Sequence, residues 1–396
     1  MRLLLVMPNV VSYEAFLGEL GDALCADGTE VHLACSPVNF ASSHANRLEP
    51  FATQKPGWPT IHPIAFARGM NPVAHVRAAR RLRALVDRLR PDVVHAHFDA
   101  AIFTTALART SNWRATIATL HGLSFPILKG WRRMAIRTAT AWAVRRFDTV
   151  WVLNSENRDL LRAAAPGSDI RSFQSAGVGC DIARFVAPSK ADRDASRAKL
   201  GFSSDDCVFA YVGRLVVAKG FALTVQAFLQ FARNEPKARL LVVGSSDPLH
   251  PTGLTSEDEG MVKASSQIVA VGHCDDVERY LVATDVMVLP SFREGMPVCL
   301  MEALAMGVPV LTRDVCGCRD VVRDGIDGIV LRDCTVKNLA EAMRQLAESQ
   351  DLRRRMSDRA LADRDRFSRR HFVREQQEIY RACQRQGQAK SSGACH

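Results

Sequence analysis

The sequence predicts an α/β protein built from two doubly wound parallel sheets, and three observations support this prediction. Short β-branched apolar runs alternate with stretches long enough for a helix, which is typical of parallel sheets covered on both faces. Twelve such runs occur, too many for one ordinary sheet. The length of 396 residues also fits two or three domains better than a single core.

The predicted strands fall into two sets of six. In the first half of the chain they are residues 3–7, 31–35, 61–66, 93–96, 116–120 and 150–153. In the second half they are residues 208–212, 240–243, 268–271, 286–289, 308–311 and 329–331.

A charged, proline-containing gap at residues 187–194 separates the two sets and predicts a domain boundary at residue 187. We therefore expect an N-terminal domain over residues 1–187 and a C-terminal domain over 188–370. A terminal helix over 371–396 is expected to return to the first domain and to end in a disordered tail, residues 387–396. In such sheets ligands bind at the carboxyl ends of the strands.

The composition excludes several classes of protein. With 47% apolar and 24% charged residues the chain is neither disordered nor fibrous. No apolar run approaches the roughly 18–20 residues that span a bilayer, and residues 3–7 are too short for a signal-peptide core. The eleven cysteines are scattered without a CxxC pair, which indicates reduced thiols and predicts a cytoplasmic protein.

The net charge of +10 is unevenly distributed. Residues 51–150 contain 16 basic and four acidic residues, so this window alone carries +12. Its helical segments 72–90 and 129–146 each place arginines on one side and apolar residues on the other. This pattern predicts peripheral contact with an anionic membrane, on the inner face of the cell membrane, although ordinary packing on a sheet would produce the same stripe. Without a helix-turn-helix or zinc pattern, no nucleic-acid partner is predicted.

Familiar cofactor motifs are absent from the sequence. There is no GxxxxGK[ST] loop, and the nearest approach to GxGxxG, at residues 177–182, lacks the third glycine, so a dehydrogenase or P-loop kinase is disfavoured. His95 and His97 point to one face of a strand, but no third ligand is recognisable. The prediction is that the protein holds no metal and no cofactor.

The strongest chemical signal is a pair of glutamates around a predicted helix start. A buried strand ends at Pro290, Glu294 lies in the following loop, and Glu302 lies in a helix that begins near Pro297. The free N–H groups of a helix N-terminus favour an anion, and carboxylates accept hydrogen bonds from sugar hydroxyls. The arrangement suits a sugar nucleotide, whereas either glutamate alone could be a cap or a solvated side chain.

Two further strand ends carry candidate site residues. Gly213, Arg214 and Lys219 follow the first strand of the second half, where the two cations could neutralise a diphosphate and the glycine allows close approach of the backbone. His121 follows the strand at 116–120 and would face the cleft between the domains. There it could act in acid–base chemistry or hydrogen-bond a sugar hydroxyl, or else be a structural loop histidine.

Taken together, these residues resemble family 4 of the retaining glycosyltransferases. The resemblance is carried by Arg214 and Lys219, the Glu-Gly-Met-Pro sequence at 294–297, Glu302, and residues 305–310. Further segments similar to the family are residues 91–97, 121–122, 154–156, 177–181, 185 and 325–328. The sequence around Thr119 and His121 is most similar to bacterial transferases that build capsule, exopolysaccharide or O-antigen.

The resemblance implies the GT-B fold, two Rossmann-like domains facing across a cleft, and retaining transfer of a hexosyl group. The donor would be a nucleotide-diphosphate sugar, most simply a UDP-sugar, and the acceptor a polyprenyl-diphosphate-linked or growing glycan. Arg214 and Lys219 would hold the diphosphate, and Glu302 the ribose. The donor sugar would contact Glu294, the backbone of Gly295 and Met296, and His121 from the opposite domain. The nucleotide pocket would be lined by Gly244 and residues 271–273, ending at His273.

Two departures from the family pattern affect the acceptor side and the donor loop. A Gly-Gly loop after the first strand is replaced by residues 8–13, and a glycine-rich turn is replaced by residues 315–320. Two other functions remain open, a UDP-sugar 2-epimerase of the same fold and a catalytically idle nucleotide-sugar-binding partner subunit. The epimerase is disfavoured by the spacing of Glu294 and Glu302, and the idle subunit by the intact set of site residues.

Overall fold

The structure, a computed structural model, describes residues 1–36, 58–66, 71–246, 253, 260–262 and 264–392, with side chains as far as residue 385. The chain divides into two compact units. Unit 1 comprises Met1–Val178 and Arg370–His396, and unit 2 comprises Gly179–Arg369. The division therefore falls at Val178 rather than at residue 187, and most of the terminal helix groups with unit 1.

In the described part of unit 1, seven parallel strands form one sheet. They are β1 (Arg2–Asn9), β2 (Glu30–Ser36), β3 (Thr60–Pro63), β4 (Val93–His97), β5 (Ala115–Leu120), β6 (Thr149–Val152) and β7 (Ile170–Ser172). Their order across the sheet is β3-β2-β1-β4-β5-β6-β7. The described helices of this unit that precede residue 178 are α1 (Val10–Ala26), α2 (Pro72–Leu89), α3 (Asp99–Ala108), α4 (Gly130–Val144) and α5 (Ser155–Ala164).

In the described part of unit 2, six parallel strands form the second sheet. They are β8 (Cys207–Val212), β9 (Ala238–Val243), β10 (Ile268–Gly272), β11 (Val286–Leu289), β12 (Val310–Arg313) and β13 (Gly328–Leu331), in the order β10-β9-β8-β11-β12-β13. The described helices with assigned bounds are α6 (Lys190–Lys199), α7 (Phe221–Ala232), α8 (Glu278–Leu281), α9 (Val298–Ala305), α10 (Cys318–Val321), α11 (Val336–Glu348) and α12 (Gln350–Ala362).

The alternating pattern predicted this fold class, which the structure confirms. Each of the twelve predicted strands overlaps an observed one. Side chains of the central strands are buried because helices cover both faces, as for Leu3 and Leu5 of β1, which are fully buried, whereas the edge strands β3 and β10 are partly exposed. The strand β7 was not predicted. Its three residues include an arginine and are too short and too polar to produce a strand pattern.

The last helix, α13 (Arg369–Ser392), is anchored in unit 1 by buried aromatic side chains. Phe372 packs edge-on against Phe173, and the hydroxyl of the fully buried Tyr380 lies 2.7 Å from Nδ1 of His95. The helix continues to Ser392, into the stretch 387–396 for which the sequence predicted disorder. Residues 393–396 lie outside the described residues.

Each sheet has a point where the strand order reverses direction. In unit 1 this point lies between β1 and β4, and in unit 2 between β8 and β11. Ligands of doubly wound sheets bind beyond the carboxyl ends of the strands at such a point, because the loops there diverge to opposite faces of the sheet. The loops after β8 and β11 therefore occupy the favoured position in unit 2.

Candidate functional site

The predicted donor residues lie along one edge of the sheet in unit 2. Arg214 and Lys219 follow β8, Glu294 follows β11, and these two strands are neighbours at the reversal point. The next loop on one side follows β9 and contains Gly244, and the outermost follows β10 and contains His273. The topology thus brings residues from four separate segments to one edge.

The most direct contact in this region joins Lys219 to Glu294. Both carboxylate oxygens of Glu294 lie 2.7 Å from Nζ of Lys219, so the ammonium donates to each of them. The Glu294 side chain is only 7% exposed, whereas that of Lys219 is 29% exposed. The pair therefore places a partly accessible cation beside a buried carboxylate.

Backbone contacts hold the loops after β8 and β11 against each other. The N–H of Phe292 donates to the carbonyl of Ala218 at 3.0 Å, and the Ser291 hydroxyl lies 3.2 Å from the same carbonyl oxygen and 3.0 Å from that of Arg293. Gly220 has φ of +74°, and a Cβ on it would lie 2.3 Å from the carbonyl oxygen of Pro290. Only glycine fits this position, because both the conformation and the close approach exclude a side chain.

A second close approach joins the loops after β8 and β9. Gly213 and Gly244 both adopt positive φ, +150° and +148°, and a Cβ on Gly244 would lie 1.9 Å from the carbonyl oxygen of Gly213. Within the part of the chain that the structure describes, the nearest atom to a Cβ on Gly213 would be the hydroxyl of Tyr211, at 3.9 Å. The two glycines therefore let the backbones of adjacent loops come together and leave space above Gly213.

Helix α9 begins at this edge without a side-chain cap. Its N-cap is Pro297, which supplies no side-chain capping hydrogen bond, and the N–H of Leu300 donates to the Pro297 carbonyl at 3.2 Å. A helix start without a side-chain cap is a place where an anion can meet backbone N–H groups. Gly295 and Met296, the residues before it, are half-buried. A Cβ on Gly317 would lie 2.5 Å from the carbonyl oxygen of Gly295, so this glycine allows the loop at 315–320 to approach the donor loop.

Glu302, on α9, is half-buried. Burial raises its pKa to about 7, while Arg369 and Arg184 act in the opposite direction and Glu278 adds to the rise. Burial raises the pKa of the Cys299 thiol, and the charges of Glu294 and Glu302 raise it further, so both carboxylates lie near this cysteine. The carboxyl of Glu302 can therefore change protonation near neutral pH.

Two other predicted residues are more exposed. Arg214 is exposed at the carboxyl end of β8, and its carbonyl accepts a hydrogen bond from Tyr211 at 2.8 Å. The His273 side chain is 61% exposed, and Nε2 lies 3.4 Å from Asp275. Because β10 is the outermost strand, His273 lies further along the edge than the Lys219–Glu294 pair.

In unit 1 the predicted residue His121 belongs to a cluster of three histidines. Its Nε2 lies 3.2 Å from Nδ1 of His97, whose ring lies 4.0 Å from the ring of His95. The ring of Phe98 stacks on His121 at 4.1 Å and 10°. Burial lowers the pKa of His121 to about 3, so its ring is neutral at pH 7.

The sequence reasoning considered His97 only as a possible metal ligand and did not single out Phe98 or Ser291. A non-glycine residue with positive φ is uncommon, and Phe98 has φ of +67°, but nothing in its sequence context indicates this. The alternation of His95 and His97 did indicate one shared face. Among the described residues, no group of three His, Cys, Asp or Glu side chains is arranged to hold a metal ion.

Comparisons with known proteins bear on the family and the fold of the chain. Residues 13–172 match the family described as "Glycosyl transferase 4-like domain", and residues 192–363 match "Glycosyl transferases group 1". EpsD of Bacillus subtilis (strain 168) is 27% identical over 312 residues, which cover 76% of this chain and 80% of that protein.

Two further similarities concern an enzyme and a solved structure. The UDP-Gal:alpha-D-GlcNAc-diphosphoundecaprenol alpha-1,3-galactosyltransferase of Escherichia coli is 23% identical over 292 residues, 72% of this chain and 74% of that enzyme. The structure of Anabaena HepE in complex with UDP-glucose has a TM-score of 0.76 at 16% identity and covers 96% of this chain and 100% of its own. Because the two family matches span most of the chain and the fold agrees, the chain belongs to the GT-B glycosyltransferases, with a glycosyl transferase 4-like domain followed by a group 1 domain.

Proposed function

We propose that the chain transfers a hexosyl group from a UDP-sugar to a lipid-linked or growing glycan in bacterial polysaccharide synthesis. In this proposal the anomeric configuration is retained and no metal participates. The observation that carries the proposal is the Lys219–Glu294 pair at the reversal point of unit 2, next to the uncapped start of α9. Cations and free N–H groups are the features that bind a diphosphate.

Each donor residue has a distinct part in the proposal. The diphosphate takes the place of one carboxylate oxygen beside Lys219 and gains Arg214, whose position in an exposed loop leaves it accessible. Glu302 accepts hydrogen bonds from the ribose diol, and this role requires its ionised form. Glu294 and the backbone of Gly295 and Met296 hold the sugar, and His121 hydrogen-bonds one of its hydroxyls.

The proposed chemistry needs no protein nucleophile. The acceptor oxygen attacks the anomeric carbon from the face that the diphosphate leaves, and the leaving phosphate oxygen takes the acceptor's proton. Positive charge next to the diphosphate stabilises the negative charge that develops on it, and it acts more strongly in a water-poor site. Arg214, Lys219 and the first turn of α9 would supply this stabilisation.

The similar proteins support the choice of donor and acceptor. The Escherichia coli enzyme named above is described as using UDP-Gal and a diphosphoundecaprenol-linked sugar, and HepE was solved with UDP-glucose. These are properties of those proteins, and for this chain they make UDP-sugars and polyprenyl-diphosphate-linked glycans the first compounds to test.

A thermal-shift screen of UDP-, GDP-, ADP- and CMP-sugars tests the donor, because a ligand that binds only the folded state raises the melting temperature. We expect stabilisation by one or more UDP-sugars. Incubation of that sugar with a polyprenyl-diphosphate-linked acceptor, followed by NMR of the product's anomeric proton, then tests transfer and retention. Interconversion of the sugar without an acceptor would identify an epimerase instead, and binding without turnover an idle subunit.

We also propose that α4 contacts an anionic membrane surface at the inner face of the cell membrane. The side chains at the start of this helix are unusually exposed: Trp131 is 76%, Met134 60% and the preceding Ile127 54% exposed. Lys129 and Arg132 are exposed beside them. An apolar surface framed by basic groups is typical of a helix that lies on anionic lipid.

The other basic segment, α2, fits ordinary packing better. Its apolar side chains Leu82, Leu85 and Val86 are buried against the sheet, while its arginines face outward. The surface proposed for membrane contact therefore includes α4 but not α2, although the sequence indicated both segments. None of the helices within the described residues combines the length and apolar character required to cross a bilayer.

Co-sedimentation with anionic vesicles at low salt tests this contact. We expect wild type to pellet with vesicles, and Trp131→Ser and the double variant R132S/R133S to remain largely in the supernatant. The double variant R80S/R81S removes the same charge from α2 and serves as the matched control, which should pellet like wild type. Equal loss in both double variants would indicate a diffuse charge effect, and no pelleting of wild type would refute the contact.

A further inference from the structure

The three clustered histidines of unit 1, His95, His97 and His121, are not equivalent in their hydrogen bonds. His95 has a partner at each ring nitrogen, the Tyr380 hydroxyl at 2.7 Å and the Thr119 hydroxyl at 2.8 Å. His97 and His121 share one contact, between Nδ1 of His97 and Nε2 of His121. Within the described residues, Nε2 of His97 and Nδ1 of His121 are buried without a hydrogen-bond partner.

Counting protons limits the possible arrangements of this pair. Burial lowers the pKa of both rings, so each is neutral and carries a single N–H. One ring must donate in the shared contact, and the remaining proton then lies on one of the two unpaired nitrogens. If His121 donated, this proton would lie on Nε2 of His97, a residue with no exposed surface.

The opposite arrangement places the unpaired proton on the one of the two rings that has exposed surface. If His97 donates, the N–H of His121 lies on Nδ1, an atom that is itself buried but belongs to a partly exposed residue, whereas His97 has no exposed surface. A buried N–H without any acceptor is rare in proteins because its lost hydration is not replaced, so the arrangement in which a substrate oxygen can complete the bond is favoured.

We propose that His97 is a positioning residue, which donates from Nδ1 to Nε2 of His121 and makes Nδ1–H of His121 the donor to a substrate hydroxyl. Phe98, stacked on His121, fixes the plane of the ring, and the hydrogen bond from His97 fixes its rotation. The inference deepens the proposed function and rests on the role given there to His121. It identifies Nδ1 of His121 as the atom that contacts the substrate, and His97 as the residue that places the proton on this atom.

Amide variants distinguish the two ring nitrogens of His97. An Asn side chain places its amide near the position of Nδ1, and a Gln side chain near that of Nε2. His97→Gln should lower kcat/KM about 10- to 100-fold, because a displaced contact group costs that much. His97→Asn should recover most of the loss. The matched control is His75→Gln, a buried histidine of the same unit whose Nδ1 contacts Thr104 at 3.1 Å, and it should leave kcat/KM close to wild type.

The ring tautomer supplies a readout that does not depend on turnover. In ¹⁵N NMR spectra of the full chain, His121 should be protonated on Nδ1 in wild type and in His97→Asn, and should become a mixture in His97→Gln. Protonation of His121 on Nε2 in wild type, or equal loss of kcat/KM in both variants of His97, would overturn the inference. If wild type shows the expected tautomer but binds no sugar nucleotide, the proposed function fails and the positioning of His121 stands.

Discussion

Lys219 and Glu294, 75 residues apart in the sequence, form a two-pronged ion pair in which both carboxylate oxygens lie 2.7 Å from one ammonium nitrogen. The pair joins the loops after β8 and β11 at the reversal point of the sheet in unit 2. Both partners were assigned to the donor separately, Lys219 to the diphosphate and Glu294 to the sugar. In the proposed function, the donor would therefore bind to a preformed pair of opposite charges.

Removing Lys219 should destabilise unit 2 more than neutralising Glu294. Lys219→Met leaves a buried carboxylate without a counter-charge, which costs about 3 kcal/mol of unfolding free energy. Glu294→Gln leaves an ammonium that can still reach water, so the expected loss is about 1 kcal/mol. Urea denaturation of both variants and of the double variant checks this order. The double variant should be more stable than Lys219→Met, and a reversed order would show that the pair contributes no such coupling.

Affinity for a UDP-sugar should fall as the pH drops through 7. The pKa of Glu302 is raised to about 7 by burial, and the ribose contact needs the ionised carboxylate. Between pH 8 and pH 6 the ionised fraction of such a group falls about tenfold, and the dissociation constant should rise by a similar factor. Titration calorimetry with UDP-glucose at several pH values checks this.

Glu302→Gln is the control for the pH dependence. It should bind more weakly than wild type at pH 8 and show a flat profile between pH 6 and pH 8, because the titrating group has been removed. An unchanged pH slope in this variant would assign the titration to another residue and remove Glu302 from the ribose contact.

Gly213 and Gly244 form a matched pair for testing the close approach of two loops. Both need positive φ, but only a Cβ on Gly244 collides with backbone, 1.9 Å from the carbonyl oxygen of Gly213. Gly213→Ala should therefore cost only the backbone strain of about 1–2 kcal/mol. Gly244→Ala should cost more than that, as measured by urea denaturation. Similar losses in both variants would mean that the two loops separate easily.

The fold could be predicted from the sequence, because the alternation of apolar strand-length runs with helix-length stretches is a local pattern that short stretches of sequence reveal. The donor residues could be located at strand ends for the same reason. The pairing of Lys219 with Glu294 could not be predicted in this way. It depends on β8 and β11 being neighbours in the sheet, and no local sequence pattern indicates which strands are neighbours.

The histidine contacts and the exposure of α4 were beyond sequence reasoning for a related reason. His97 is the last residue of β4 and His121 follows the adjacent strand β5, so the two meet only after the sheet forms. The stripe of Trp131 and Met134 has the spacing of a packed helix face, and only the structure shows that these side chains are exposed. Periodicity identifies a face but not what covers it.

Transfer should not depend on an added metal. In the proposal the diphosphate is neutralised by Arg214, Lys219 and the N-terminus of α9. Excess EDTA should therefore leave the initial rate within experimental error of the untreated enzyme. A rate that EDTA abolishes and Mn²⁺ restores would contradict this part of the proposal.

The central claim is that the carboxyl edge of the sheet in unit 2 binds the nucleotide diphosphate, and calorimetric titration with UDP tests it most directly. Arg214→Ala should weaken UDP binding about 10- to 100-fold, as expected for the loss of charge-assisted hydrogen bonds. Lys237→Ala removes an exposed cation from the opposite, amino-terminal edge of the same sheet and should bind UDP like wild type. Equal affinity in Arg214→Ala and wild type, or weaker binding in Lys237→Ala alone, would contradict the account.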